Sequence, residues 1–244
     1  MTLESSPHIS MNTIKFKSHE LFGEYITKHE LPRKIFHSSI GFITIYLYTQ
    51  GYDYTKIASV LSIAFALILI LDIIRLNFHG FNWLYCKIVG MLMRPSEINK
   101  LNGVLFYILG LIFCFGFFQK DICLISVMLL SWSDTAASTF GRKYGHLTPK
   151  IARNKSLAGS LAAFIVGVIS VYLTYGVLLP AYPHLNPAED IKWHPESSRF
   201  SLDQISLLGG FVASFSEGID IFNLDDNLTI PVLSSLFLAF VTSF

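Results

Sequence analysis

Charged residues are scarce in this chain. They make up 14% of its 244 residues, where a soluble domain carries about 25%. An excess of one sign is also missing: 18 Lys and Arg stand against 17 Asp and Glu, a formal net charge of +1. That balance excludes a basic nucleic-acid binder and an acidic disordered tail. The cysteines Cys86, Cys114 and Cys123 are too few and too apolar in setting for a disulfide framework, and no CxxC pair suggests zinc. No internal repeat and no low-complexity tract is present.

Apolar sequence is what the chain has in quantity: 52% of residues are hydrophobic and the mean hydropathy is +0.51. So much apolar surface has to be placed against lipid, and a span needs about 20 mainly apolar residues. Seven stretches qualify as candidates: Ile35–Tyr52, Ile57–Ile74, Gly103–Phe118, Ile122–Phe140, Leu157–Leu179, Ile205–Phe222 and Leu228–Phe244. The first is no cleavable signal peptide, because a long polar segment precedes it without a basic–apolar–small pattern. Between the second and third candidates, Phe78, Phe81, Leu84, Tyr85, Ile88 and Leu92 recur at helical spacing. That segment fits a helix lying in the membrane interface or, equally, a packed core helix. Pro180–Pro195 is the one long irregular loop. The expected fold is all-α, a polytopic bundle of about seven spans plus one interfacial helix. Residues 1–30 form a polar N-terminal segment, and residues 31–244 form the transmembrane domain.

Resolved by segment, the near-zero net charge conceals an asymmetry. The N-terminal segment and the second, fourth and sixth loops hold 14 of the 18 Lys and Arg, and the intervening loops hold 4. The positive-inside rule then places the N-terminus and those loops in the cytoplasm. Two sequons, at Asn154 and Asn227, would face the cytoplasm and stay unmodified.

Polar residues within or at the ends of membrane helices are costly, so each is a functional candidate. Pro32-Arg33-Lys34-Ile35-Phe36-His37 sets two cations and an imidazole at the mouth of the first span, an arrangement suited to a polyphosphate; a positive-inside anchor with a satisfied histidine is the bland alternative. Asp134, Ser138 and Gly141 share one helix stripe in Ser131–Gly145, with Arg142 and Lys143 following. An aspartate this deep in an apolar helix needs a lysine, an arginine or a metal ion. Asn154-Lys155-Ser156-Leu157-Ala158-Gly159-Ser160 resembles a phosphate-binding helix start with free backbone N–H groups, or a small-residue packing motif. Glu217-Gly218-Ile219-Asp220 with Asp225-Asp226-Asn227 gathers four carboxylates and an amide without Lys or Arg. Hard oxygen ligands of this kind suit Mg2+ or Ca2+, unless the loop is merely a solvated acidic one. Asp72 and Arg75, three apart, read as a structural pair. Basic residues for phosphates, carboxylates for a metal and a buried aspartate beside lipid are the parts of a phosphoryl-transfer site.

In this order, the motifs Pro32–His37, Asp134–Ser138 with Gly141-Arg142, Lys155-Ser156 with Gly159, and Glu217 through Asp226-Asn227 resemble those of the integral-membrane lipid kinases. That family includes the dolichol, phytol and fungal CTP-dependent diacylglycerol kinases, and the resemblance to the last is nearest, over residues 15–244. It implies transfer of the γ-phosphate of CTP to diacylglycerol, giving phosphatidate, with a divalent cation, in the endoplasmic reticulum or nuclear membrane. Nothing in composition or spacing separates CTP from ATP. On this reading Arg33, Lys34 and Lys155 hold the triphosphate, with Ser138, Gly141, Arg142, Ser156 and Gly159 lining the nucleotide site. Glu217, Asp220, Asp226 and Asn227 carry the metal. Asp134 is a further metal ligand or the base that orients the diacylglycerol hydroxyl, and His37 is the second candidate base. A polyprenol kinase, a cytidylyltransferase joining CTP to phosphatidate, and a non-enzymatic transporter or lipid scaffold are the rival readings. The sequence leaves the oligomeric state open.

Overall fold

A computed structural model describes residues 30–152, 155–219 and 224–244. Lipid offers no partner for a backbone N–H or C=O, so apolar runs of this length settle as helices that satisfy their own. The apolar stretches become α1 (Leu31–Thr49), α2 (Ile57–Asn77), α4 (Gly103–Phe117), α5 (Lys120–Met128) continuing as α6 (Asp134–Tyr144), α7 (Leu157–Tyr172), α8 (Leu202–Gly218) and α9 (Asp226–Val241). The amphipathic segment forms α3 (His79–Val89). Among the described residues, three helical stretches, Tyr54–Asn77, Lys120–Leu147 and Leu157–Ala181, are long and apolar enough to cross a membrane. Gly103–Phe117 and Asp226–Val241 are apolar but shorter.

Cap residues mark the boundaries between these runs. Ser201 and Gln204 form a reciprocal capping box at the start of α8, and the Asp225 carboxylate accepts from the Asn227 N–H at the start of α9. A two-stranded antiparallel hairpin, β1 (Lys150–Ala152) and β2 (Lys155–Ser156), pairs Lys150 with Ser156 and leads into α7. The sequence reading had no strand here. Between α5 and α6, Leu129–Ser133 widen into a π-turn, and a second one follows α7 at Leu173–Leu178. The proline-rich segment is irregular apart from the 3-10 turns Pro183–Leu185 and Ala188–Asp190.

The described residues divide into two compact units, one of residues 30–36 and 63–105 and the other of those within 37–62 and 106–244. In the first, Asp72 and Arg75 are buried and form the expected pair, with Arg75 Nε 2.6 Å from Asp72 Oδ1. The guanidinium also donates to the carbonyls of Glu97 and Ile98, at 3.1 Å each, and of Lys100 at 2.6 Å. Asp72 Oδ2 accepts from the Asn102 N–H at 2.6 Å. Each charge is therefore paired and further hydrogen-bonded, the condition under which a buried ion pair is tolerated. Asn82 joins this network through the Ile98 carbonyl at 2.9 Å, which turns Asn82 and Cys86 of α3 inward. Phe78, Leu84 and Ile88, on the apolar side of that helix, are left exposed. A packed core helix would bury them, so the polar network decides which face of α3 points in.

In the second unit every residue of α5 is buried. Around it, α7 and α8 approach so closely that a Cβ on Gly167 would lie 2.7 Å from Ala213 Cβ and 3.0 Å from the Gly209 carbonyl. Small residues permit this approach where lipid offers no hydrophobic drive between helices. The outward faces of the same helices carry Leu161, Ile165, Ile169, Leu207 and Phe211, all exposed. An apolar exterior over a core this well packed suits a lipid surround.

Candidate functional site

Three carboxylates from three helices meet in the second unit. Asp134 opens α6 directly after the π-turn, Glu217 sits in the last turn of α8, and Asp226 is the first residue of α9. Each offers an oxygen within 4.8 Å of the others. Two ionised carboxylates at that separation repel by about 3–4 kcal/mol at an effective dielectric of about 20. A cation relieves that repulsion, and Lys155 of β2 supplies one. Its Nζ lies 2.8 Å from Glu217 Oε1 and 2.7 Å from Asp226 Oδ2.

Burial by itself would lower the pKa of the Lys155 ammonium. The carboxylates of Glu217 and Asp226 outweigh burial and hold it above the ordinary lysine value. One ammonium does not neutralise three carboxylates, however, and Glu217 Oε2 is buried with no hydrogen-bond partner. A buried, unsatisfied oxygen on a carboxylate grouped with two others fits a hard divalent cation.

His37, in the second turn of α1, borders this cluster. Its Nε2 lies 2.8 Å from the Leu130 carbonyl and 3.6 Å from Asp134 Oδ2. With a carbonyl as its nearest partner, Nε2 carries the proton and donates it. The ring stands edge-on to Tyr107 at 5.0 Å between centroids, and the Tyr107 hydroxyl lies 3.2 Å from Ser131 Oγ. Leu130 and Ser131 both belong to the π-turn, a feature common at functional sites. Sequence reading had singled out neither Tyr107 nor this turn. A tyrosine within the apolar run Gly103–Phe117 was the available signal.

The remaining expected site residues fall into distinct groups. Arg33 and Lys34 lie in the first turn of α1, where Arg33 Nη2 pairs with Glu30 Oε2 at 2.7 Å. Asp220 lies outside the described residues, as do Arg153 and the Asn154 sequon. Asn227 is buried at the start of α9, which closes the second sequon to glycosylation. Ser138 Oγ back-bonds to the Thr135 carbonyl at 3.2 Å, and Arg142 is exposed in the last turn of α6. Gly141 and Gly159 let α6 and α7 touch: a Cβ on Gly159 would lie 3.0 Å from the Ala137 carbonyl and 3.5 Å from Gly141 Cα.

One expectation is corrected. The start of α7 was read as offering free N–H groups to a phosphate. Instead, the Leu157 N–H donates to the Pro149 carbonyl at 3.0 Å, Ala158 to Thr148 Oγ1 at 3.2 Å, and Gly159 to Ser156 Oγ at 3.4 Å. The hairpin and its preceding turn fold back over this helix end and use its donors, so Ser156 serves as an N-cap.

Known proteins match most of the chain. It is 63% identical to a protein named CTP-dependent diacylglycerol kinase 1 from Saccharomyces cerevisiae, over 96% of this chain and 81% of that one. Its identity to the protein of the same name from Eremothecium gossypii is 59%, over 98% of this chain and 76% of the relative. To that from Schizosaccharomyces pombe it is 43%, over 89% of this chain and 95% of the relative. No family model matches the chain, and no solved structure does.

Proposed function

The chain belongs to the family of the fungal CTP-dependent diacylglycerol kinases, and from that membership we propose that it transfers the γ-phosphate of CTP to the free hydroxyl of diacylglycerol, yielding phosphatidate and CDP. The convergence of Asp134, Glu217 and Asp226 beside Lys155 is the observation that carries this reading structurally. Phosphoryl transfer asks little covalent chemistry of the protein; it asks for positioning and for charge opposite the transferred group.

Asp134, Glu217 and Asp226 would hold a divalent cation, whose chemistry is to neutralise phosphate oxygens as charge develops on them. Asp220, three residues after Glu217, and Asn227, next to Asp226, are candidates for the same set. Lys155 is tied to two of these carboxylates and meets the triphosphate only by exchanging those partners for phosphate oxygens. Arg33 and Lys34, one turn before His37 on α1, supply fixed positive charge for the nucleotide. Ser138, Gly141, Arg142, Ser156 and Gly159 shape its surroundings, the two glycines by letting α6 and α7 touch. Asp134 acts on the cation, and His37 orients the acceptor hydroxyl. The Nε2 proton of His37 is committed to the Leu130 carbonyl, so proton removal by His37 would fall to Nδ1.

The same reading carries a topology: about seven spans, α3 lying in the interface with Phe78, Leu84 and Ile88 toward lipid, and a cytoplasmic N-terminus. The location is the endoplasmic reticulum or nuclear membrane. The names of the three relatives give diacylglycerol as acceptor, and no feature of the site favours a polyprenol or a cytidylyl transfer. Purified protein given diacylglycerol and each of the four nucleoside triphosphates tests the reading. Phosphatidate should form fastest with CTP; equal rates with ATP, or none with CTP, would refute it.

A further inference from the structure

An apolar groove of about 680 Å3 lies in the second unit, lined in part by Ile40 and Thr44 of α1, Leu111 and Phe115 of α4, and Leu124 and Val127 of α5. Its volume is that of a small-molecule site. Three helix stripes carry it to the carboxylate cluster. His37, Ile40 and Thr44 share one face of α1, Tyr107, Leu111 and Phe115 one face of α4, and Leu124, Val127 and Ser131 one face of the central helix, since residues three or four apart lie one above the other. At the upper end of these stripes, His37, Tyr107 and Ser131 are already joined by ring contact and hydrogen bond. The groove therefore begins one helical turn from His37, Tyr107 and Ser131.

Its other end lies at the loop after α1, where exposed Gln50, Gly51, Tyr52, Asp53 and Lys56 also line it. The Lys120 ammonium lies over the Tyr48 ring, 5.1 Å from the centroid, and donates to the Leu185 carbonyl. Tyr48 is held in turn by Asn186, whose Nδ2 is 2.7 Å from its hydroxyl. From His37 to Tyr48 the helix rises about 16 Å at 1.5 Å per residue, roughly half of the ~30 Å hydrocarbon thickness. Much of an extended acyl chain fits that length. Along its side the groove opens past Ile43 and Val60, both exposed.

We propose that this groove receives one acyl chain of the diacylglycerol whose hydroxyl is presented at His37 and Asp134. The proposal rests on the lipid-kinase reading and adds where the acceptor lies. Moving a tail from bilayer to groove exchanges one apolar surround for another, so the groove contributes alignment and selection by shape more than affinity. A tail seated between these stripes fixes the glycerol at their upper end.

Two measurements test it. Thr44 is partly buried and lines the groove, so Thr44→Trp should obstruct it. The ratio of the rate on dioleoylglycerol to that on dihexanoylglycerol should fall at least tenfold from wild type. Phe115→Ala, which widens the groove, should move that ratio the other way on branched or bulkier tails. Independently of turnover, diacylglycerol bearing a diazirine near a tail end should label α1, α4 and α5 at groove residues. Equal loss on both chain lengths by folded variants, label confined to outward residues such as Leu161 and Ile165, or equal groove labelling by a diazirine phosphatidylcholine would overturn the proposal. Wild-type protein that makes no phosphatidate from either substrate would overturn the kinase reading instead, and the labelling would still decide the groove.

Discussion

Lys155→Met removes the cation that holds the carboxylate cluster together. In the native chain its ammonium bridges Glu217 and Asp226 at 2.8 and 2.7 Å, with Asp134 completing the group. Breaking a fully buried ion pair costs about 3–5 kcal/mol. The side chains of Lys155 and Asp226 retain 20% and 31% exposure, so solvent screening reduces the expected loss to about 2–3 kcal/mol. In a chain of this size about 1 kcal/mol corresponds to about 2–4 °C in Tm, so the variant should melt roughly 5–10 °C below wild type in EDTA. Mg2+ should raise the Tm of the variant more than that of wild type, because the cation no longer competes with an ammonium for the same carboxylates. Thermal unfolding in detergent micelles, with and without Mg2+, reads both effects. Equal Tm values in EDTA, or equal Mg2+ increments in the two proteins, would refute a shared site for the ammonium and the divalent cation.

Other substitutions separate the roles of neighbouring residues. Asp134→Asn should lower the rate of phosphatidate formation by about 10²–10³, the range for losing one electrostatic stabiliser of a transition state, and should weaken activation by Mg2+ as well. His37→Gln, which keeps a donor for the Leu130 carbonyl, should lose less; a larger loss than Asp134→Asn in parallel assays would reverse those assignments. Gly167→Leu should destabilise or misfold the protein, because even a Cβ meets Ala213 at 2.7 Å; an unchanged Tm would contradict the described α7–α8 packing. Arg75→Met should cost about 3–5 kcal/mol by stranding buried Asp72, seen as a lowered Tm, while Asp72→Asn with Arg75→Met should recover part of that loss.

Much of this architecture was legible in the sequence, for a physical reason. In lipid the backbone must satisfy itself, so an apolar run almost dictates a helix, and the runs that begin near Ile35, Ile57, Gly103, Ile122, Leu157, Ile205 and Leu228 each fall on one. Asp134, Glu217 and Asp226 stood out because carboxylates beside apolar helices are costly. Lys155 stood out as a phosphate ligand and not as their partner: it is 62 residues from Glu217, and no local pattern carries a contact over that distance. The start of α7 misled because free N–H groups are the default at a helix end, and here a hairpin with little sequence signature consumes them. The face of α3 was read from apolar periodicity, but a polar network around Arg75 turns Asn82 inward and leaves the apolar side to the surface. The π-turn before Asp134 has no counterpart in hydropathy at all.

The central claim is that a terminal phosphate moves from CTP to diacylglycerol at the carboxylate cluster. Purified protein should be given diacylglycerol, Mg2+ and CTP labelled separately in the γ-phosphate and in the cytidine. Label from the γ-phosphate should appear in phosphatidate, none from cytidine should enter lipid, and Asp134→Asn should depress the first signal by about 10²–10³. Cytidine label in lipid, or undiminished γ-phosphate transfer by folded Asp134→Asn, would contradict the account.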